Sequence, residues 1–155
     1  MSRMIVMCGL PGSGKSTLAQ KEYPGFVRIN QDELKSRDEC AIKTKDCIKR
    51  GEDVLIDRVN WDKRQRQVWI KLAKYYGCTE IVCIRLNVPP DVCLKRVKER
   101  KDHPTIPLEM PLDKKSNIVY TFNRRFEEPE IDEGFDKILI LNPDGSLYGT
   151  KLKPS

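Results

Sequence analysis

The chain has 155 residues, 39% of them hydrophobic and 34% charged, a composition ordinary for one globular domain with a sizeable core. Its net charge of +6 is compatible with a polyanionic partner but does not name one. No apolar run approaches a membrane span, and the apolar part of MSRMIVMCG is too short for a signal peptide. The expectation is therefore an intracellular protein, cytoplasmic or nuclear, without membrane association.

Strand and helix patterns alternate along the sequence. RMIVMC (3–8) reads as a buried strand and leads into GLPGSGKS (9–16), which matches G-x-x-x-x-G-K-[ST] with a helix after it. GFVRI (25–29) is a short second strand, followed by INQDELKSR (29–37) with its acidic pair Asp32 and Glu33. Cys40, Ala41, Thr44, Cys47 and Ile48 recur at helical spacing and form an inner stripe that stops at Gly51. EDVLID (52–57) is a third strand, continued as RVN.

Asp62 is placed to cap a helix that ends at Gly77, with Val68, Trp69, Leu72 and Tyr76 inward and Lys63, Arg64, Lys71 and Lys74 outward. TEIVCIRL (79–86) is a fourth strand, and the helix after PPD (89–91) carries Arg96 and Arg100. KDHPTIPLEMPLDKK (101–115) reads as a mobile connection, then a helix capped by Ser116, then a fifth strand, DKILIL (136–141). The tail has a turn signal at Asp144-Gly145. These elements predict an α/β fold in a single domain, residues 1–155, with a mainly parallel sheet of about five strands, flanking helices and a lid.

The six cysteines, at 8, 40, 47, 78, 83 and 93, form no Cys-x-x-Cys pair, and the single histidine, His103, lies far from them in sequence. That spacing argues for reduced thiols packed as small hydrophobes and against a structural metal.

The glycine-rich segment carries the chemistry. Glycines at 9, 12 and 14 allow the backbone to approach phosphate closely, so that the amides of Gly12, Ser13, Gly14, Lys15, Ser16 and Thr17 converge on phosphate oxygens at a helix N-terminus. Lys15 then reaches the β- and γ-phosphates, and the Ser16 hydroxyl completes the coordination of Mg2+. This is a P-loop for a nucleoside triphosphate, ATP or GTP, since no base-reading motif stands out. Asp32 suits a catalytic base beside an acceptor hydroxyl, or a helix cap. Asp57 suits an active-site role in the cleft that holds the γ-phosphate, or a Walker-B-type carboxylate holding magnesium through water. Arg96 and Arg100 suit an arginine lid over the phosphates, or ordinary helix surface.

Taken together, GLPGSGKST, VRINQDELKSR, VLIDRVNWDKRQRQVW, NVPPDVCLKRVKERKDHPTIP and FEEPEIDEGFDKILIL resemble the 5′-hydroxyl polynucleotide kinase domain of phage, bacterial and animal end-healing enzymes. The likeness runs over nearly the whole chain. It implies transfer of the γ-phosphate to a 5′-OH end of DNA or RNA, with Asp32 as general base. It also implies Asp57 in the acceptor-phosphate pocket, positioning a basic side chain, and Arg100 with Arg96 as lid arginines. No phosphatase or ligase domain accompanies these motifs, which fits a stand-alone kinase or one module of a larger chain.

Three positions depart from the family pattern. Lys35 stands where the phage enzyme has its arginine clamp, with Arg37 the substitute. Tyr120 stands where a second lid arginine falls, leaving Arg124 or Arg125. Arg58 follows Asp57 where relatives have Asn or Thr, placed for an acceptor phosphate or a surface ion pair. The basic face of the 62–76 helix could track a nucleic-acid backbone or simply be solvated. The alternatives in view are a small-metabolite P-loop kinase and a non-catalytic NTP-binding nucleic-acid module.

Overall fold

The computed structural model describes residues 1–30, 34, 36–99 and 110–155. Six strands form one sheet: β1 (Arg3–Cys8), β2 (Val27–Asn30), β3 (Val54–Asp57), β4 (Glu80–Leu86), β5 (Lys137–Leu141) and β6 (Leu147–Leu152). Their order is β2-β3-β1-β4-β5-β6, with the first five parallel and β6 antiparallel to β5. The described helices are α1 (Lys15–Glu22), α2 (Arg37–Lys49), α3 (Lys63–Tyr75), α4 (Pro90–Glu99) and α5 (Leu112–Arg125).

Side-chain alternation along β1 divides the core into two layers. Met4, Val6 and Cys8 join Ile29, Ile56 and Cys83 under α2 and α3, while Ile5 and Met7 join Leu55 and Ile84 under α1, α4 and α5. Burial on both faces explains why the central strands are apolar without a break. Cys40, Thr44, Cys47 and Ile48 form the buried stripe of α2, as their spacing predicts.

Asp62 caps α3 as expected, its Oδ1 accepting the Gln65 amide at 2.8 Å. The buried side of that helix differs, however. Trp69, Ile70 and Ala73 are buried together with Arg66, whereas Val68, Leu72 and Tyr76 pack only partly.

One expectation gains a detail and another is corrected. The sheet has a sixth strand, which the tail conceals because nearly every β6 residue is exposed and no apolar alternation marks it. The helix expected to start at Ser116 begins at Leu112, after Pro111. A proline fits there because the first turn of a helix needs no donor from it, and Asp113 in that turn faces the positive end of the helix dipole.

Candidate active site

The carboxyl ends of β1 and β3 lie side by side, and the glycine loop leaves from the first. Gly12 and Gly14 have φ of +85° and +98°, in the left-handed region that side chains resist. A Cβ on Gly12 would stand 2.5 Å from the Cys93 carbonyl oxygen, so this glycine also lets α4 pack against the loop. Gly14 is the N-cap of α1 and offers no side-chain cap, which leaves amides of the first turn to face a ligand. The Lys15 ammonium lies across the loop and donates to the Gly9 and Leu10 carbonyls, each at 3.0 Å. Ser13 Oγ is buried there with no hydrogen-bond partner among the described residues. Thr17 is exposed on the first turn of α1.

The second half of the site is built around Asp57. Its Oδ2 accepts from Ser16 Oγ at 3.0 Å and from Arg28 Nε at 2.6 Å, while Asn30 Nδ2 lies 3.5 Å away. Arg28 also donates from Nη2 to Ser16 Oγ at 2.8 Å. The sheet register explains the meeting, because β2 and β3 pair in parallel with Asn30 opposite Asp57. Asp57 is 3% exposed, so the guanidinium compensates a carboxylate that would be costly to bury alone. The side chain thus touches both a P-loop hydroxyl and a basic group.

These donors fit Mg2+, which takes hard oxygen ligands. A hydroxyl and a carboxylate oxygen are adjacent, and Ser16 Oγ retains a second lone pair beyond the one Arg28 engages. Among the described residues no group of three or more His, Cys, Asp or Glu is placed to hold a metal by itself.

Arg96 reaches the same loop from α4. Its Nη1 donates to the Ser13 carbonyl at 3.2 Å and lies 3.5 Å from that of Gly12, while Nη2 donates to the Pro143 carbonyl at 2.9 Å. The guanidinium is therefore a brace under the loop. In a planar trans peptide, a Ser13 carbonyl held toward Arg96 turns the Gly14 amide the opposite way. Asp32, Lys35 and Arg100, with the connection over 101–109, lie outside the described residues. Arg37 is exposed at the start of α2, and Arg124 and Arg125 are exposed at the end of α5, with Tyr120 half-buried before them. Arg58 is half-buried, its guanidinium 5.5 Å from the Trp69 ring centroid, where a cation–π contact forms.

A buried network holds the loop after β3. Arg66, 0% exposed, donates from Nε and Nη2 to the two Glu133 oxygens at 2.8 and 3.2 Å, and from Nη1 to the Asn60 carbonyl at 2.9 Å. Asn60 has φ 49°, which asparagine tolerates better than most residues. Its side chain donates to the Met7 carbonyl at 2.7 Å and accepts from Trp69 Nε1 at 3.0 Å. Burial pushes the Arg66 pKa down, but the Glu133 hydrogen bonds and nearby charges outweigh it and the net direction is up. Motifs far apart in sequence, DRVN and EIDEGF, are thus two sides of one structural joint.

Sequence reasoning missed Arg28 and Arg66. The only signal for Arg28 is a cation inside an otherwise apolar strand that pairs beside Asp57. Arg66 sits in the polar run KRQRQ and gives none.

A glycine loop between strand and helix, with Lys15 and Ser16 at its end, stands where successive connections leave to opposite sides of β1, the switch point at which open α/β sheets bind ligands. Fold and loop define a P-loop protein. A family model described as an AAA domain matches residues 4–46 and 38–129, and the chain belongs to that family.

Among curated relatives, a putative bifunctional polynucleotide phosphatase/kinase of Acanthamoeba polyphaga mimivirus is 35% identical over 87% of this chain. The bifunctional polynucleotide phosphatase/kinase of Schizosaccharomyces pombe is 30% identical over 87% of it. The chain spans 32% of each of these relatives. A solved fungal RNA kinase superposes with a TM-score of 0.68 at 16% identity, covering 99% of this chain and 76% of that one. Among the described residues no helix is long and apolar enough to cross a membrane.

Proposed function

We propose that residues 1–155 act as one polynucleotide 5′-hydroxyl kinase domain, transferring the γ-phosphate of ATP or GTP to the 5′-OH end of DNA or RNA in intracellular repair or end-healing. The observation that carries the reading is Asp57, one oxygen of which meets the P-loop hydroxyl of Ser16 and the guanidinium of Arg28. A donor-side hydroxyl and a cation suited to an acceptor phosphate thereby share one anchor. The similarity to viral and yeast polynucleotide phosphatase/kinases over 87% of the chain supports the same reading.

In this reading the amides of residues 12–17 and Lys15 hold the donor phosphates, and Arg96 keeps the loop in shape. Ser16, with Asp57 beside it, would hold Mg2+, which when bound neutralises phosphate charge. Asp32 accepts the proton of the 5′-hydroxyl. The freed oxygen bonds to the γ-phosphorus as the bond to the β–γ bridging oxygen breaks, and the nucleoside diphosphate leaves. Arg28, oriented by Asp57, takes the first phosphate of the acceptor, the clamp that the motif left unassigned, with Lys35, Arg37 and Arg58 on the acceptor side. Arg100 offsets charge on the transferring group. Positioning and charge neutralisation account for the catalysis, with little covalent chemistry for the protein to perform.

The test is transfer of labelled γ-phosphate from ATP or GTP, with magnesium, to oligonucleotides ending in 5′-OH or 5′-phosphate. Label is expected only on 5′-OH ends, and Asp32→Ala is expected to lower the rate about 100- to 10,000-fold. NTP binding without transfer to any oligonucleotide would turn the assignment to a metabolite acceptor or a non-catalytic module.

A further inference from the structure

A groove of about 700 Å³ opens beside the loop that follows β3, lined by Arg37, Trp61, Arg64, Val68 and Arg125 together with Asp62, Gln65 and Glu127. Its volume is that of a site for a drug-sized ligand. Its walls come from the start of α2, the start of α3 and the end of α5. The groove therefore lies at the carboxyl ends of β2 and β3, on the acceptor side of the site, with Trp61 four residues after Asp57.

Two chemistries meet in it. Trp61 packs on Phe122 with ring centroids 5.2 Å apart and planes at 56°, which fixes the indole while leaving it half-buried. Arg37, Arg64 and Arg125 are exposed, and among the described residues none of them pairs with a carboxylate. The two acids of the groove are turned to the N-terminus of α3. Asp62 accepts the Gln65 amide at 2.8 Å, and Glu127 accepts the Lys63 amide at 3.4 Å. Their charge is engaged by the helix end, which leaves the arginines to set the potential of the open space.

A fixed aromatic face among unpaired guanidinium groups is the composition that holds single-stranded nucleic acid, with bases stacked on the ring and phosphates on the cations. A duplex would keep its bases stacked on each other and away from Trp61. We infer that this groove binds the unpaired nucleotides that follow the acceptor's 5′ end, one base stacking on Trp61 and the backbone running along Arg37, Arg64 and Arg125. The inference rests on the kinase reading and deepens it, naming a single-stranded acceptor several nucleotides long.

The test compares three probes on the whole chain: a 5′-OH single-stranded octanucleotide, a blunt duplex of the same sequence, and a nucleoside 3′-monophosphate too short to reach the groove. Binding is read by quenching of tryptophan fluorescence and by competition. Turnover is read as the ratio of KM for the monophosphate to KM for the octanucleotide. Trp61→Ala is expected to weaken octanucleotide binding roughly 5- to 100-fold and to shrink the KM ratio by the same factor.

Arg64→Gln, an exposed change that spares the Trp61–Phe122 contact, is expected to lower the slope of log K against log salt by about 0.7. Octanucleotide binding unmoved by both substitutions overturns the groove, whether or not transfer occurs. Equal binding of the blunt duplex overturns the single-strand assignment. Groove-dependent octanucleotide binding without transfer to any 5′-OH probe overturns the kinase reading alone.

Discussion

Replacing Glu133 by Ala tests whether the joint behind the site is held by a compensated buried charge. Arg66 is 0% exposed and Glu133 3% exposed, so the substitution leaves a guanidinium in the interior whose remaining hydrogen-bond partners among the described residues are the Asn60 and Glu128 carbonyls. Breaking such a pair costs about 3–5 kcal/mol, because the remaining charge is neither solvated nor matched. Glu133 also accepts the Glu130 amide at 2.7 Å, closing a capping box worth about 1 kcal/mol.

With a urea m-value of about 2 kcal/mol/M, the unfolding midpoint should fall by roughly 2 M. Tryptophan fluorescence is a suitable probe, since Trp69 is buried and bonded to Asn60 in the same network. The double substitution Arg66→Met with Glu133→Leu removes both charges and should recover stability to within about 1–2 kcal/mol of the parent. A Glu133→Ala protein within about 1 kcal/mol of the parent would refute the reasoning. So would a double variant as unstable as the single one, because the loss would then come from packing.

Two further predictions concern the phosphate loop and the thiol behind it. Gly12→Ala places a Cβ 2.5 Å from the Cys93 carbonyl oxygen at a φ of +85°, so it should cost about 1–3 kcal/mol of stability as well as nucleotide affinity. Calorimetric nucleotide binding and thermal melts separate the two effects, and lost affinity with unchanged stability would remove the packing argument. Burial pushes the Cys93 thiol from 9.0 up to about 11, with Lys15 as the leading opposing influence. Its folded pKa is raised, so its contribution to stability is complete below pH 9 and declines as the pH rises from 9 toward 11, by about 2–3 kcal/mol in all. Urea midpoints across that window should fall more steeply in the parent than in Cys93→Ala, and parallel curves would contradict the assignment.

What the sequence reveals about this fold follows the range of the interactions. The P-loop, the Asp62 cap and the α2 stripe are local patterns spanning at most three turns, and each stands where its residues predict. Arg28 and Arg66 are legible only through partners 29 and 67 residues away. KRQRQ reads as a solvated face because three of its neighbours in charge, Lys63, Arg64 and Lys71, are solvated. Nothing local distinguishes Arg66 from them. The family resemblance directs attention to Lys35 and Arg37, and nothing local points to Arg28. The register of β2 on β3, which brings Arg28 to Asp57, is a property of the assembled sheet.

The two braces have a common logic. Arg66 and Arg96 are long cations whose donors are engaged by backbone carbonyls, at Asn60 for the first and at Ser13 and Pro143 for the second. Each holds one of the loops that flank the end of β1, which are themselves joined by the Gly9 amide and the Val59 carbonyl at 3.2 Å. This gives the exposed strand β6 and the turn before it a reason to exist. Its turn is closed by the bonds from Ser146 to Asp144, which also hold the Asp144 carboxyl below its ordinary pKa, and the ordered turn presents the Pro143 carbonyl to Arg96. A phosphate-binding loop gains from fixing its carbonyls before a ligand arrives, because each amide on the opposite side of those peptides is then aimed without further ordering cost.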